Sequence, residues 1–446
     1  MKKSKKFSII TAVGLITVLL FTACGNSGGK ESASGGSNGT GGKQTLRVTW
    51  WGNTERDKLY FAINDLFMKE NPDVEIITES PGWDDYWTHV ATAYASGTAP
   101  DVVQFQSNQV GEYASMGVMT SLEPFVDSGT INLDNWNEEL VSTGIINDEL
   151  RLITLGVTAQ TLYANETYLE ELGIELWPED QDISWDEFEA FMNDVQAKLP
   201  KDSYALQDVF KNNDLVWIWI RQHTPKGVEW VNAEGKFAPS LETMTGWFSL
   251  ADRLRKDGAI ASITLSHEWE QMSWEEGPFV NRKTLFMFAN ANQVKTYQRA
   301  TDDQLVMRKV PTAPDADNKH GDLLITSGFA ISESSQQKEL AAQYIDFFVN
   351  NVDAQKIFNF ELGVPGSLTI QEILFENANP GDVMATNYIN LVSENFLPFK
   401  AKEPGVWAVQ DEISKAAQQV AMDALTPEQA GQLIIDTAND LIHSNK

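Results

Sequence analysis

Three loop-like positions in this chain set aromatic rings beside planar amides and carboxylates. Trp51 and Asn53 follow one strand-like run, Gly82-Trp83-Asp84-Asp85-Tyr86-Trp87 follows a second, and Phe105-Gln106-Ser107-Asn108-Gln109 ends a third. An aromatic face packs against the C–H patch of a saturated ring, while amides and carboxylates match vicinal hydroxyls. Such a set holds a hydroxyl-bearing ring without altering it. Bond-making chemistry has less support. The five histidines (His89, His223, His267, His320, His443) are scattered, with no pair at i, i+4 for zinc. No phosphate-binding loop or dinucleotide fingerprint is present. Gly25-Asn26-Ser27-Gly28-Gly29 matches G-x-S-x-G but lies in a Gly/Ser-rich run, where no strained strand-to-helix turn can form. Asp315 and Asp317 hint at calcium, yet Lys319 and His320 spoil the loop pattern. Two carboxylates could cleave a glycosidic bond. The 63 acidic residues supply candidate pairs, but nothing marks one, so a secreted glycoside hydrolase stands only as an alternative. We expect no catalytic residue, no metal and no cofactor.

The elements that must position these residues alternate. Thr45–Trp50 and Val74–Ile77 read as strands, as does Asp101–Phe105, with helices from about Glu55 (Thr54 as cap) and over Asp84–Ser96. Ser184-x-x-Glu187 is a capping box whose helix carries Phe188, Phe191, Met192, Val195 and Leu199. Ser334-x-x-Gln337 opens another, with Ala341, Tyr344, Ile345 and Phe348 inward. Thr426-Pro427 starts the last, with Ala430, Leu433, Ile434, Thr437 and Leu441 on its buried side. Strands alternating with helices imply an α/β fold with a mostly parallel sheet flanked by helices.

The start of the chain carries an address. Four lysines within residues 2–6, an apolar run Phe7–Phe21 and small residues before Cys24 form a secretory leader. It resembles a bacterial lipoprotein signal, although Phe21 stands where leucine is usual, and cleavage would leave Cys24 to be lipidated. The apolar run is shorter than the roughly 20 residues a spanning helix needs. Losing the four lysines with residues 1–23 takes the net charge from −30 to about −34, which disfavours nucleic acid as a partner. Residues 25–43 hold eight glycines and four serines and read as a flexible tether reaching roughly 25 Å. The protein would then sit on the extracytoplasmic face of the cell membrane, lipid-anchored at residue 24. The remaining chain, with 42% apolar residues overall, suffices for two domains.

Several blocks recur in a characteristic order: Asn71-Pro72-Asp73-Val74, Ala95-Ser96-Gly97-Thr98-Ala99-Pro100-Asp101-Val102-Val103, Leu162-Tyr163-Ala164-Asn165, Ser184-Trp185-Asp186-Glu187-Phe188, Gly328-Phe329-Ala330-Ile331-Ser332 and Leu425-Thr426-Pro427-Glu428-Gln429-Ala430. This series resembles the extracellular solute-binding proteins of ATP-driven sugar importers (family 1, which includes maltose-binding protein). The resemblance implies a two-lobed periplasmic-binding-protein fold of type II. One lobe would hold 45–155 plus 322–375, the other 157–318 plus 376–446. It implies a carbohydrate ligand, a monomer, hinge closure and delivery to the transmembrane subunits of an ABC permease, without catalysis. A sugar-sensing subunit that signals to a membrane kinase would share this physics.

The resemblance also nominates residues. In the first lobe they are Trp51, Asn53, Trp83, Tyr86, Phe105, Gln106, Asn108 and Gln109. In the second they are Thr158, Asn212, Asp214, Trp217, Asn290, Asn292 and Trp407. Where relatives carry a charged pair, Asn108 and Gln109 are neutral, so hydrogen bonding there is less charge-assisted. Of the 14 tryptophans, Trp50, Trp136, Trp177, Trp185 and Trp247 are assigned to packing. Trp217 is open between core and ligand, and Trp269 and Trp274 are left unassigned.

Overall fold

The computed structural model describes residues 43–107, 109–208, 210, 214–225, 228, 230–315, 319–321, 323–393 and 406–444. The leader, Cys24 and nearly all of the tether lie outside these residues, as do Asn108 and Asn212. Among the described residues, no helix is long and apolar enough to cross a membrane.

The strands are β1 (Gln44–Thr49), β2 (Val74–Glu79), β3 (Val102–Gln106), β4 (Ile153–Asn165), β5 (Tyr204–Leu206), β6 (Thr284–Asn290), β7 (Leu305–Arg308) and β8 (Leu324–Ile331). They run in the order β2-β1-β3-β8-β4-β6-β5, with β7 also paired to β4. Pairing is parallel through β2-β1-β3 and between β5 and β6. It is antiparallel where β8 and β4 join these two parts. The parallel parts are built as expected. The helix α1 (Thr54–Glu70) connects β1 to β2, and α2 (Trp83–Ala95) connects β2 to β3.

β4 is the longest strand, and every one of its 13 residues is buried. Its first half, Ile153 to Ala159, pairs with β8; from Gln160 onward it pairs with β6 and β7. Side chains alternate across a strand, so this one element feeds separate cores. One core gathers Leu46, Val48, Tyr60 and Phe67 with Ile153 and Leu155. Trp50 stacks on Tyr60 there, ring centroids 4.4 Å apart. A second core gathers Leu162 and Ala164 with Trp185, Phe188, Trp217 and Trp247. A third, against α8 (Pro380–Ser393), takes Val157, Ala159 and Tyr163.

The chain crosses β4 a second time near its middle. Val157 and Val364 exchange backbone hydrogen bonds of 2.9 and 2.8 Å. This close approach requires glycine on both sides. A Cβ at Gly156 would lie 2.6 Å from the Leu362 carbonyl carbon, and Gly363, at φ +111°, would drive one into the Val157 carbonyl.

Local signals place the helices with three corrections. Asn53, not Thr54, caps α1: its side-chain oxygen accepts from the Glu55 and Arg56 amides, both at 3.0 Å. No box forms at Ser334. That helix, α7 (Lys338–Asn350), begins after Gln337 with no side-chain cap; just before it, the Ser335 hydroxyl accepts from the Gln337 amide at 3.0 Å and donates to the Asp101 carboxylate. In the last helix, α10 (Pro427–Ser444), Leu433 is exposed, and Ala438 and Ile442 fill the core positions with Ala430 and Ile434.

The box at Ser184 does form and opens α3 (Trp185–Gln196). The Ser184 hydroxyl accepts from the Glu187 amide at 3.1 Å, and the Glu187 carboxylate accepts from the Ser184 amide at 2.7 Å. These hydrogen bonds hold the Glu187 carboxyl below its ordinary range. A depressed folded-state pKa adds stability above the unfolded value, and that contribution fades as pH falls through the folded one. Ser184→Ala should therefore cost about 1 kcal/mol at pH 7. Urea titrations at pH 7 and pH 4 should show a smaller loss at the lower pH; equal losses would detach Glu187 from the cap.

Candidate functional site

The first group of nominated residues forms at the ends of β1 and β3. Trp51, 7% exposed, leaves β1 and meets Trp83 edge-on at 5.2 Å and Tyr86 at 5.5 Å. Trp83 is the first residue of α2 and 40% exposed, so part of its surface remains open. Tyr86 is fully buried and donates to the Gln104 carbonyl at 2.7 Å. Burial pushes its phenol well above the usual range. Phe105 is likewise buried, against Tyr113 at 5.0 Å. These two rings are buried behind the cluster and present no face of their own in this structure. Asn53 is exposed, but its side-chain oxygen is committed to capping α1. Trp87, not nominated, completes the group at 5.8 Å from Trp51, and its indole N–H is buried without an acceptor.

Gln106 and Gln109 are half-buried where β3 gives way to the short helix Val110–Ser115. The Gln109 side-chain oxygen is buried with no donor. The loop after β1 is steadied by Arg56, which donates to the Trp51 carbonyl at 3.3 Å and pairs with Glu361 at 3.1 Å.

The second group lies on β4 and at the end of β6. Thr158 is 6% exposed, and its hydroxyl accepts from the Asn292 amide at 3.3 Å. Two residues on, and so on the same face of the strand, Gln160 donates to the Asn290 side-chain oxygen at 2.7 Å. Tyr163 donates to the Asn290 carbonyl at 2.6 Å. Asn290 leads into the 3-10 turn Ala291–Gln293, whose Gln293 side chain accepts from the Asn290 amide at 3.1 Å. Asn292 is half-buried. Together with Gln160, which was not nominated, these residues make a tight amide and hydroxyl cluster.

Of the remaining nominations, Trp217 belongs to the core that holds Leu162 and Trp185. Trp217, in α4 (Leu215–Gln222), is fully buried. Its indole donates to Gln410 at 2.9 Å and its ring meets Trp230 edge-on at 5.0 Å. Its ring packs in the core of this structure. Asp214 stands at the N-terminal end of the same helix, and Trp407 falls in the first turn of α9 (Val406–Ala421). Trp274, unassigned from sequence, is 51% exposed and stacks on Tyr297 with centroids 5.9 Å apart. A signal for Gln160 was present in its i, i+2 relation to Thr158. Only the fold pairs Trp274 with Tyr297.

The two groups are joined through the sheet. Ser107, just past β3, donates its amide to the Thr326 carbonyl of β8, and Thr326 pairs with Val157 of β4. A surface cavity of about 590 Å³ lies elsewhere, between Trp185, His223 and Thr312, and none of the nominated residues lines it. The aromatic faces at its wall are nearly covered, Trp185 at 5% and Trp219 at 7% exposed, whereas Trp83 of the first group is 40% exposed.

Solved structures share this fold. A periplasmic solute-binding protein from Pectobacterium atrosepticum aligns with a TM-score of 0.77 at 20% identity, covering 90% of this chain and 99% of the other. A periplasmic oligogalacturonide-binding protein from Yersinia enterocolitica, in complex with saturated digalacturonic acid, aligns at 0.75 and 20% identity, covering 90% and 100%. An ABC substrate-binding protein from Listeria monocytogenes, in complex with cycloalternan, aligns at 0.73 and 17% identity, covering 90% and 99%. Residues 52–355 match the family described as bacterial extracellular solute-binding protein, and the chain belongs to that family.

Proposed function

We propose that this protein captures a carbohydrate, best a neutral oligosaccharide, outside the cytoplasm and hands it unaltered to the transmembrane subunits of an ABC permease. The observation that carries this reading is the pair of groups described above: a partly open tryptophan platform and an amide and hydroxyl cluster, linked through β3, β8 and β4. Rings suit the C–H face of a sugar, and amides suit its hydroxyls. The sugars bound by the Yersinia and Listeria proteins support the same ligand class. In this reading the lobes are 45–155 plus 322–375 and 157–318 plus 376–446. The ligand favours the closed arrangement through its differential affinity for that state. The chain acts as a monomer, tethered by a lipid at Cys24.

A thermal-shift screen over neutral oligosaccharides and oligogalacturonides tests the reading. At 100 times its dissociation constant a true ligand adds about 2.7 kcal/mol of stability. It should be recovered intact by chromatography. A wholly silent screen, or a cleaved sugar, would sink the reading, and cleavage would favour the hydrolase. Trp83→Ala should weaken binding roughly three- to tenfold, from about 0.5–1.5 kcal/mol per aromatic contact. Its melting temperature should barely move, because the ring is 40% exposed. Cys24→Ser should shift the protein from the membrane fraction to the medium; retention in the membrane fraction would rule out a lipid anchor at this residue.

A further inference from the structure

Gln160 carries a polar atom that the fold leaves unanswered. The residue is 4% exposed, in the middle of the most buried strand. Its amide nitrogen donates to Asn290 at 2.7 Å, and its backbone carbonyl accepts from the Tyr388 hydroxyl at 2.7 Å. The side-chain oxygen is sealed from solvent and receives no donor. A buried acceptor without a donor forfeits its hydration with no return, so such groups in native proteins call for an explanation.

Its position supplies one. Ser107, Thr326 and Val157 lie in one row across β3, β8 and β4. β3 and β4 are both antiparallel to β8, so they run in the same direction. Gln109 lies two residues past that row on one side, and Gln160 three residues past it on the other. The strands β3 and β4 themselves are separated laterally by two strand spacings, about 10 Å, across β8. Gln109 also has a buried side-chain oxygen without a donor. The fold thus sets two orphan carbonyl acceptors at the same end of the sheet, one beside each group of the candidate site.

We propose that Gln160 is a specificity-determining residue, not recognised from the sequence, whose side-chain oxygen accepts a hydroxyl of the bound sugar, with Gln109 doing the same from the other group. This rests on the sugar-binding reading above and narrows it. Two unanswered acceptors call for donors, so the ligand presents hydroxyls, not carboxylates, at these two points. In a dry site a neutral hydrogen bond of this kind discriminates strongly, because an analogue without the donor leaves the acceptor unpaired.

The test uses the full-length protein and the neutral oligosaccharide that gives the largest shift in the screen. Gln160→Met removes the orphan oxygen at similar side-chain volume. It also gives up the hydrogen bond to Asn290, so the ligand-free variant should melt near the wild-type temperature, while its affinity for that sugar falls roughly tenfold or more. Deoxy analogues of the sugar provide the second arm. One of them should lose affinity for wild type by a similar factor and lose none for Gln160→Met, as a double-mutant cycle requires of a direct contact. If Gln160→Met does not fold, Gln109→Met, at a half-buried position, is read in the same way. Unchanged affinity in the variant would assign the oxygen to an internal water and overturn the inference while leaving the sugar reading intact. If wild type responds only to oligogalacturonides, the inference also fails and sugar binding survives. If wild type responds to no sugar, both fail.

Discussion

The backbone pairing of Val157 with Val364 is the constraint on which the other contacts converge. It sits in the middle of a strand that contributes to every large core. The segment that makes it, 359–364, is gripped from several directions. Arg56 of α1 pairs with Glu361 at 3.1 Å. Lys295, in α6 (Val294–Arg299), donates to the Asn359 and Phe360 carbonyls at 3.2 and 3.3 Å. Lys295 also stands 3.6 Å from Asp382, whose carboxyl burial pushes upward in spite of that lysine. Asn359 and Phe360 both have left-handed backbones, at φ 45° and 58°. For a bulky residue this conformation costs on the order of 1–3 kcal/mol and persists only where surrounding packing enforces it. Here the packing is Phe360 against Ile370 and Leu374.

That rigid crossing explains how the aromatic residues divide their work. Trp50, Trp217 and Trp247 are at most 1% exposed, and they fill cores on either side of β4. Trp51 and Trp83 stand where β1 ends and α2 begins, beyond the reach of those cores. Their rings are ordered instead by one another and by Tyr86, whose hydroxyl is pinned to β3 through the Gln104 carbonyl. A platform needs such backing: a lone exposed indole would spend rotamer entropy on every binding event. Tyr86 and Phe105 are buried behind the pair of Trp51 and Trp83. They touch no solvent and keep the open rings in place.

Features that depend on local chemistry were legible in the sequence. Ser184 and Glu187 satisfy each other within four residues, so their box could be read directly, and the β1-α1-β2-α2-β3 run followed from periodicity. Features set by distant contacts were not. Asn53 displaced Thr54 as cap because the helix began one residue earlier than its apolar stripe implied. The box expected at Ser334 does not form, and its neighbour Ser335 donates to Asp101, 234 residues away. Trp217 and Trp219 lie two residues apart in a helix with both indoles engaged, so spacing alone could not separate core from ligand face. Gln160, although two residues from the nominated Thr158, was missed for a related reason. An amide inside an apolar strand signals a buried polar group, but only the fold shows that one of its two polar ends finds a partner.

Two cations stand beside the crossing segment. Around it, Arg56 is committed to Glu361 and the Trp51 carbonyl, and Lys295 to Asp382 and two carbonyls. Each cation also supports the crossing segment, so neither can turn to a ligand without loosening the junction that positions both groups. A carboxylate-bearing guest would have to draw on one of these cations and strand its partner, Asp382 being the worse case because it is only 3% exposed. Stranding a buried charge costs more than an ion pair near a surface returns. Fixed dipoles carry no such penalty: in the proposed function the amides of Gln109, Gln160 and Asn290 would orient a neutral guest without disturbing those ion pairs. Within the proposed function, the same pairing that locks the crossing thus also disfavours an acidic sugar.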